Sequence, residues 1–208
     1  MVVAGAATAS IAPSVAQAEV SYNAGASNFY LWRGQDISEG SAVVTGGIDY
    51  AHDSGLYVGT WASSEADGTE FDLYAGYGYS DGDFSANVAY WAYFYPSDGT
   101  KSTFSRNEST LLSEYEITLG YADFSATALI DTEDTDLRYY SLNYGIGAFG
   151  LHAGMYDNFG GDGVDYTDMS VSFAATDALS FTLSKAQGDA LAEADEKPLI
   201  NVSYSFPL

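Results

Sequence analysis

The sequence predicts an all-β fold, a single transmembrane antiparallel up-and-down β-barrel of about twelve strands, the even strand count usual for such barrels. Three observations predict it. Short segments alternate apolar and polar residues at a period of two, as strands between lipid and a wet lumen must. The connections between them alternate short and long. No run of 18 apolar residues exists to make a transmembrane helix, so a membrane-crossing chain of this kind must close into a barrel.

The predicted strands are 20–32, 42–51, 56–63, 70–80, 84–95, 114–121, 124–130, 137–144, 149–157, 166–174, 179–186 and 199–206. The clearest is 70–80, where Phe71, Leu73, Ala75, Tyr77 and Tyr79 share one face and Asp72, Tyr74, Gly76, Gly78 and Ser80 the other. In 84–95 the same period sets Phe84, Ala86, Val88, Tyr90, Ala92 and Phe94 against Ser85, Asn87, Ala89, Trp91 and Tyr93. Residues of common parity in the later segments, Ile117, Leu119, Val171, Phe173, Phe181, Leu183, Val202 and Tyr204, extend the lipid-facing belt. The last segment keeps the alternation through Ile200, Val202, Tyr204 and Phe206 to Leu208, as a terminal strand read by barrel-assembly machinery would.

Tight links at 52–55, 81–83, 122–123, 145–148 and 175–178 follow the even strands. Longer, acidic ones at 33–41, 64–69, 96–113, 131–136, 158–165 and 187–198 follow the odd strands. Outer-membrane barrels keep short turns in the periplasm and long loops outside, so both termini are expected on the periplasmic side. Ahead of the barrel, residues 1–18 are small and apolar and end in Val15-Ala16-Gln17-Ala18, the form of a signal-peptide cleavage site. Residues 19–208 are then one barrel domain.

The formal charge of -23, with six Lys and Arg scattered along the chain, excludes nucleic acid as a partner. Without cysteine there are no disulfides, thiolate nucleophiles or Cys-ligated metals. The partners expected are outer-membrane lipid and lipopolysaccharide, the assembly machinery, and small polar solutes. Nothing in the sequence asks for a cofactor.

Motif matches dissolve on inspection. Gly145-x-Gly147-x-x-Gly150 has the letters of a dinucleotide fingerprint but joins two strand patterns with no following helix, so it reads as a turn. Gly160-Gly161-Asp162-Gly163-Val164-Asp165 is one copy of a calcium-binding repeat whose sites need stacked copies, and reads as an acidic loop with weak divalent binding as the alternative. His152 invites comparison with barrels that hydrolyse lipid through Ser and His, but it has the inward parity of Gly150 and Gly154, whereas such a nucleophile and base face lipid.

The acidic strand residues Asp49, Asp72, Glu114, Glu116 and Asp168 share the polar parity. With Tyr74, Trp91, Tyr93 and His152 they are the expected pore lining. No basic residue is placed on that face, since Arg33 and the others fall at or near long loops, so a cation preference follows.

Segments 27–34, Ser-Asn-Phe-Tyr-Leu-Trp-Arg-Gly, and 47–63, with its His52-Asp53-Ser54-Gly55 turn, resemble the opening of the TorF family of porin-like proteins. The likeness continues through Asp72-Leu73-Tyr74-Ala75-Gly76-Tyr77 and 93–96 and covers the first half. It implies an outer-membrane barrel with pore function and carries over no catalytic residues. The function expected is a narrow passive channel for small polar solutes, neutral or cationic. The alternatives are a non-conducting barrel whose acidic loops bind a partner or divalent ions and, third, a lipid hydrolase.

Overall fold

The computed structural model describes residues 18–65, 68–95, 112–159 and 165–208. The strands in chain order are β1 (Glu19–Ser27), β2 (Leu31–Trp32), β3 (Gln35–Asp36), β4 (Val43–Ala51), β5 (Leu56–Ser64), β6 (Thr69–Asp81) and β7 (Phe84–Phe94). They continue with β8 (Leu112–Tyr121), β9 (Phe124–Asp131), β10 (Arg138–Ile146), β11 (Phe149–Asp157), β12 (Tyr166–Ala174), β13 (Leu179–Gln187) and β14 (Leu199–Ser205). All but β2 and β3 join one closed antiparallel barrel in sequence order.

The period-two pattern fixes which face each side chain takes. Val88, Ile117, Leu119, Val171 and Leu183 are 46–54% exposed on the outer wall, while Asp72, Glu114 and Asp168 on the opposite faces of their strands are only 1–3% exposed. That is inverted relative to a water-soluble protein and is stable only where the outside is apolar. Of the twelve belt residues expected, Phe71 and Val202 are half-buried and the others exposed. Outward aromatics gather near the short-turn rim, where Phe124 stacks on Tyr144 at 4.3 Å and Phe149 lies 5.1 Å from Phe173. Tyr90 and Tyr115, 5.6 Å apart, stand nearer the other rim. Two such girdles are the usual flanks of a lipid-facing band.

The seam closes as expected, first strand on last. It is short. β1 pairs with β14 over Gly25↔Ser205, Ala26↔Tyr204 and Ser27↔Ser203, whereas it pairs with β4 from Glu19↔Ala51 to Ser27↔Val43. Asn28 and Asn201 reinforce the junction: Asn28 Nδ2 donates to the Ile200 carbonyl at 3.0 Å, its Oδ1 accepts from the Val202 amide at 2.8 Å, and Asn201 Nδ2 donates to the Phe29 carbonyl at 2.8 Å.

Two boundaries differ from expectation. The first strand, expected over 20–32, ends at Ser27, because Asn28 is held sideways on β14 and the chain then turns inward into the β2–β3 hairpin. The turn expected at 145–148 tightens to Gly147 and Ala148, since Gly147 adopts φ +60° and lets β10 run on to Ile146. The expectations for 1–17, for 66–67, for most of the 96–113 loop and for 160–164 lie outside the described residues.

Candidate functional site

The functional site of a barrel is its lumen, and here one loop enters it. The β2–β3 hairpin turns at Arg33 and Gly34, whose φ values of +46° and +84° are the paired left-handed conformations a two-residue type I′ turn needs. Its base is closed by the Ile37 amide donating to the Tyr30 carbonyl at 3.0 Å and by Ser38 Oγ accepting from the Tyr30 amide at 2.8 Å. At Gly34 a Cβ would collide with that of Asp168 and lie 3.0 Å from that of Ala186, so only glycine lets the turn seat against β12 and β13. Gln35 Nε2 donates to the Tyr166 hydroxyl at 2.9 Å, and that hydroxyl donates to the Arg33 carbonyl at 3.2 Å.

Arg33 is 6% exposed. Its guanidinium makes a two-pronged contact with Glu114 of β8, Nη1 to Oε1 at 2.9 Å and Nη2 to Oε2 at 2.6 Å, and Nη1 also donates to the Tyr156 hydroxyl. The rings of Trp32, Tyr139 and Tyr156 surround it at 4.5, 4.7 and 5.0 Å. A buried charge needs this much compensation. The expectation that the inner face carries no counter-charge is therefore corrected: Arg33 supplies one, and Glu114 is neutralised by it. The cause is the inward hairpin, which strand parity cannot report.

Beside this pair, His152 Nε2 lies 2.9 Å from Asp168 Oδ1 and 2.9 Å from the Tyr139 hydroxyl, which donates to Asp168 Oδ2 at 2.9 Å. His152 Nδ1 lies 2.7 Å from Asn143 Oδ1. Both ring nitrogens are engaged, neither by a serine. Glu116 accepts from Asn87 at 3.0 Å, Trp91 at 2.9 Å and Thr118 at 2.9 Å. On the neighbouring strand, Tyr74 lies 4.2 Å from Trp91 with the rings tilted and donates to Asp49, to which Asn23 also donates at 3.3 Å. Tyr93 donates to Glu114 Oε2 at 2.9 Å.

Towards the long-loop rim, Glu70 accepts from Tyr30 at 3.2 Å and Tyr95 at 2.8 Å. Asp72 Oδ1 is buried with no hydrogen-bond partner among the described residues. In the adjoining loop, burial and then the hydrogen bond and charge of Glu70 push the Glu65 carboxyl up to about 8.

All nine expected lining residues thus face inward, but they form separate groups. Asp49, Tyr74, Trp91 and Glu116 line one sector; Glu114 and Tyr93 hold the hairpin; His152 and Asp168 lie beside it; Asp72 neighbours Glu70. Sequence reasoning missed Arg33, Glu70, and the buried Tyr139, Tyr156 and Tyr166 that pack around the hairpin. The adjacent Arg33-Gly34 was the available signal, since Gly in second place is what a type I′ turn favours.

Between the hairpin and the short-turn rim the lumen holds a chamber of about 970 Å³. Leu31, Arg33 and Gly34 line its inner end and Gly82, Asp83, Ala122 and Asp123 its mouth. Its walls are rich in Ser, Thr, Asn and Gly.

Solved structures of similar form include OccAB2 of Acinetobacter baumannii, 14% identical over 80% of this chain and 55% of that one, TM-score 0.43. The present chain therefore spans about half of its length. Outer membrane phospholipase A from Escherichia coli is 10% identical over 88% and 90%, TM-score 0.46. The calcium-bound dimeric phospholipase of Salmonella typhi is 11% identical over 88% of each, TM-score 0.47. No curated protein matches the sequence. The Gcw_chp family profile, by contrast, aligns with residues 11–202, nearly the whole barrel, and the chain belongs to that family of bacterial proteins of unknown function.

Proposed function

We propose that this chain is an outer-membrane protein of a Gram-negative bacterium and acts as a narrow passive channel for small polar solutes, neutral or cationic. One observation carries the reading: an apolar, aromatic-flanked outer wall encloses an inner face bearing Asp49, Glu70, Asp72, Glu114, Glu116 and Asp168 against the buried base Arg33. Carboxylates along a confined aqueous path concentrate cations and repel anions. The likeness of the first half to the TorF family fits this role, as does a barrel that depends on lipid, lipopolysaccharide and assembly machinery. The β2–β3 hairpin is the constriction.

A second reading is a non-conducting barrel, favoured by the same hairpin and by the Tyr57, Tyr74 and Trp91 cluster that fills the opposite sector. Planar-bilayer recording with refolded protein separates them. Discrete steps of current are expected. Silence in the parent together with silence after the hairpin is shortened would overturn the channel.

A further inference from the structure

The chamber behind the hairpin has a chemistry of its own. Its inner charged groups already hold hydrogen-bond partners: Arg33 on Glu114, Asp168 on His152 and Tyr139, and Glu116 on three donors. The carboxylates left open to solvent, Asp83 and Asp123, stand at the mouth, where they repel an entering anion and hold a cation short of the inner walls. What the inner walls offer besides is uncharged: Ser125 and Thr127 of β9 and Ser170 of β12 line the chamber, each hydroxyl able to donate and accept. The volume lies within the range of small-molecule sites, roughly 300–1,000 Å³.

The room comes from glycine. At Gly145 an added Cβ would meet nothing within 4 Å, and at Gly78 only the Asn87 amide oxygen at 4.0 Å. Larger residues could stand there without disturbing the wall, so the space is not needed for packing.

We infer that this chamber is a binding site for a neutral polyhydroxylated solute of mono- or disaccharide size, entering at the short-turn rim and resting against the hairpin. A hydroxyl-rich ligand matches hydroxyl-rich walls because each partner can both give and take hydrogen bonds. The inference rests on the channel reading for its biological sense but not for its test. It names the solute class, and it makes the hairpin the back wall of the site.

Ligand-observed saturation-transfer NMR with detergent-refolded barrel tests it, using glucose and sucrose as probes and glucuronate and choline as charged comparisons. Saturable transfer to at least one neutral sugar is expected, with at least tenfold weaker binding or none for both charged probes. Gly145→Trp, which obstructs the chamber beside its mouth, should weaken it at least tenfold, and Ser170→Ala with Ser125→Ala should weaken it at least threefold. Far-ultraviolet circular dichroism and heat-modifiable gel mobility identify folded variants; if Gly145→Trp fails to fold, Gly78→Phe takes its place. No saturable sugar signal, a signal unchanged by obstructing the chamber, or tighter binding of a charged probe would overturn the site. A barrel that conducts without binding sugar removes this inference alone, while one that binds sugar and never conducts removes the channel and leaves the site.

Discussion

At the scale of single residues, Arg33 decides how the lumen is organised. Two ion pairs of this chain show how setting changes their worth. Arg138 and Asp136 meet at 3.3 Å with side chains 36% and 80% exposed, where a pair contributes about 0–1 kcal/mol. Arg33 and Glu114 meet at 2.6 Å at 5% and 4% exposure, where losing one partner strands a buried charge and costs about 3–5 kcal/mol. Glu114→Gln should therefore lower unfolding stability in urea by about that amount, and Asp136→Asn by less than about 1 kcal/mol; equal effects would mean that the hairpin is not anchored by this pair. Glu114 was legible from its inward parity. Arg33 was not, because its position depends on which way a loop folds, and the contacts that decide this, to Glu114, Tyr139, Tyr156 and Asp168, are distant in sequence.

At the scale of elements, alternation made the wall readable, because every strand meets two solvents at once. Eleven strands lie within a few residues of where the pattern sets them, and the exception is instructive. In 20–32 the alternation continues beyond the wall into Tyr30 and Trp32, which meet aromatic partners at the lumen, Tyr30 facing Trp61 at 5.7 Å and Trp32 facing Tyr156 at 5.9 Å. An apolar partner inside looks like lipid outside when only sequence is read. The hairpin is also removable in principle: with Tyr30 and Ile37 already paired at its base, Asn-Gly in place of residues 31–36 should leave a closed β-turn. Single-channel conductance should rise at least twofold in that variant. A current indistinguishable from the parent's would place the narrowest point elsewhere.

At the scale of the whole molecule, charge balance rather than any single group should govern selectivity. Reversal potentials under a KCl gradient should favour cations, more so in dilute salt, because the screening length shrinks from about 10 Å at 0.1 M to about 3 Å at 1 M. Asp49→Asn with Glu116→Gln should weaken the preference, and Arg33→Gln, which removes the opposing charge, should strengthen it. Movement of both variants in the same direction would take these groups out of the filter. Closure, strand order and the inward acids were all readable from residue parity and loop length. The matching of those acids by Arg33, Asn87, Trp91 and Tyr74 was not, since it depends on the register between neighbouring strands, on Tyr74 reaching Asp49 past β5, and on the inward fold of the hairpin.

The brevity of the β1–β14 seam gives the cylinder a preferred line of parting. Three residue pairs, the flanking backbone bonds of Asn28 to Val202 and Phe206 to Ala24, and the side chains of two asparagines hold an edge that on the β4 side is held by nine pairs. A thermal fluctuation that breaks few hydrogen bonds is commoner than one that breaks many, so the wall should open first along this line. In an outer membrane such a gap would face the bilayer and would give whatever occupies the lumen a sideways route that neither rim provides. Amides of Asn28, Val202 and Phe206, which donate across this seam, should then trade hydrogen for deuterium well ahead of those in β6 and β7, and Asn28→Ala should widen the difference.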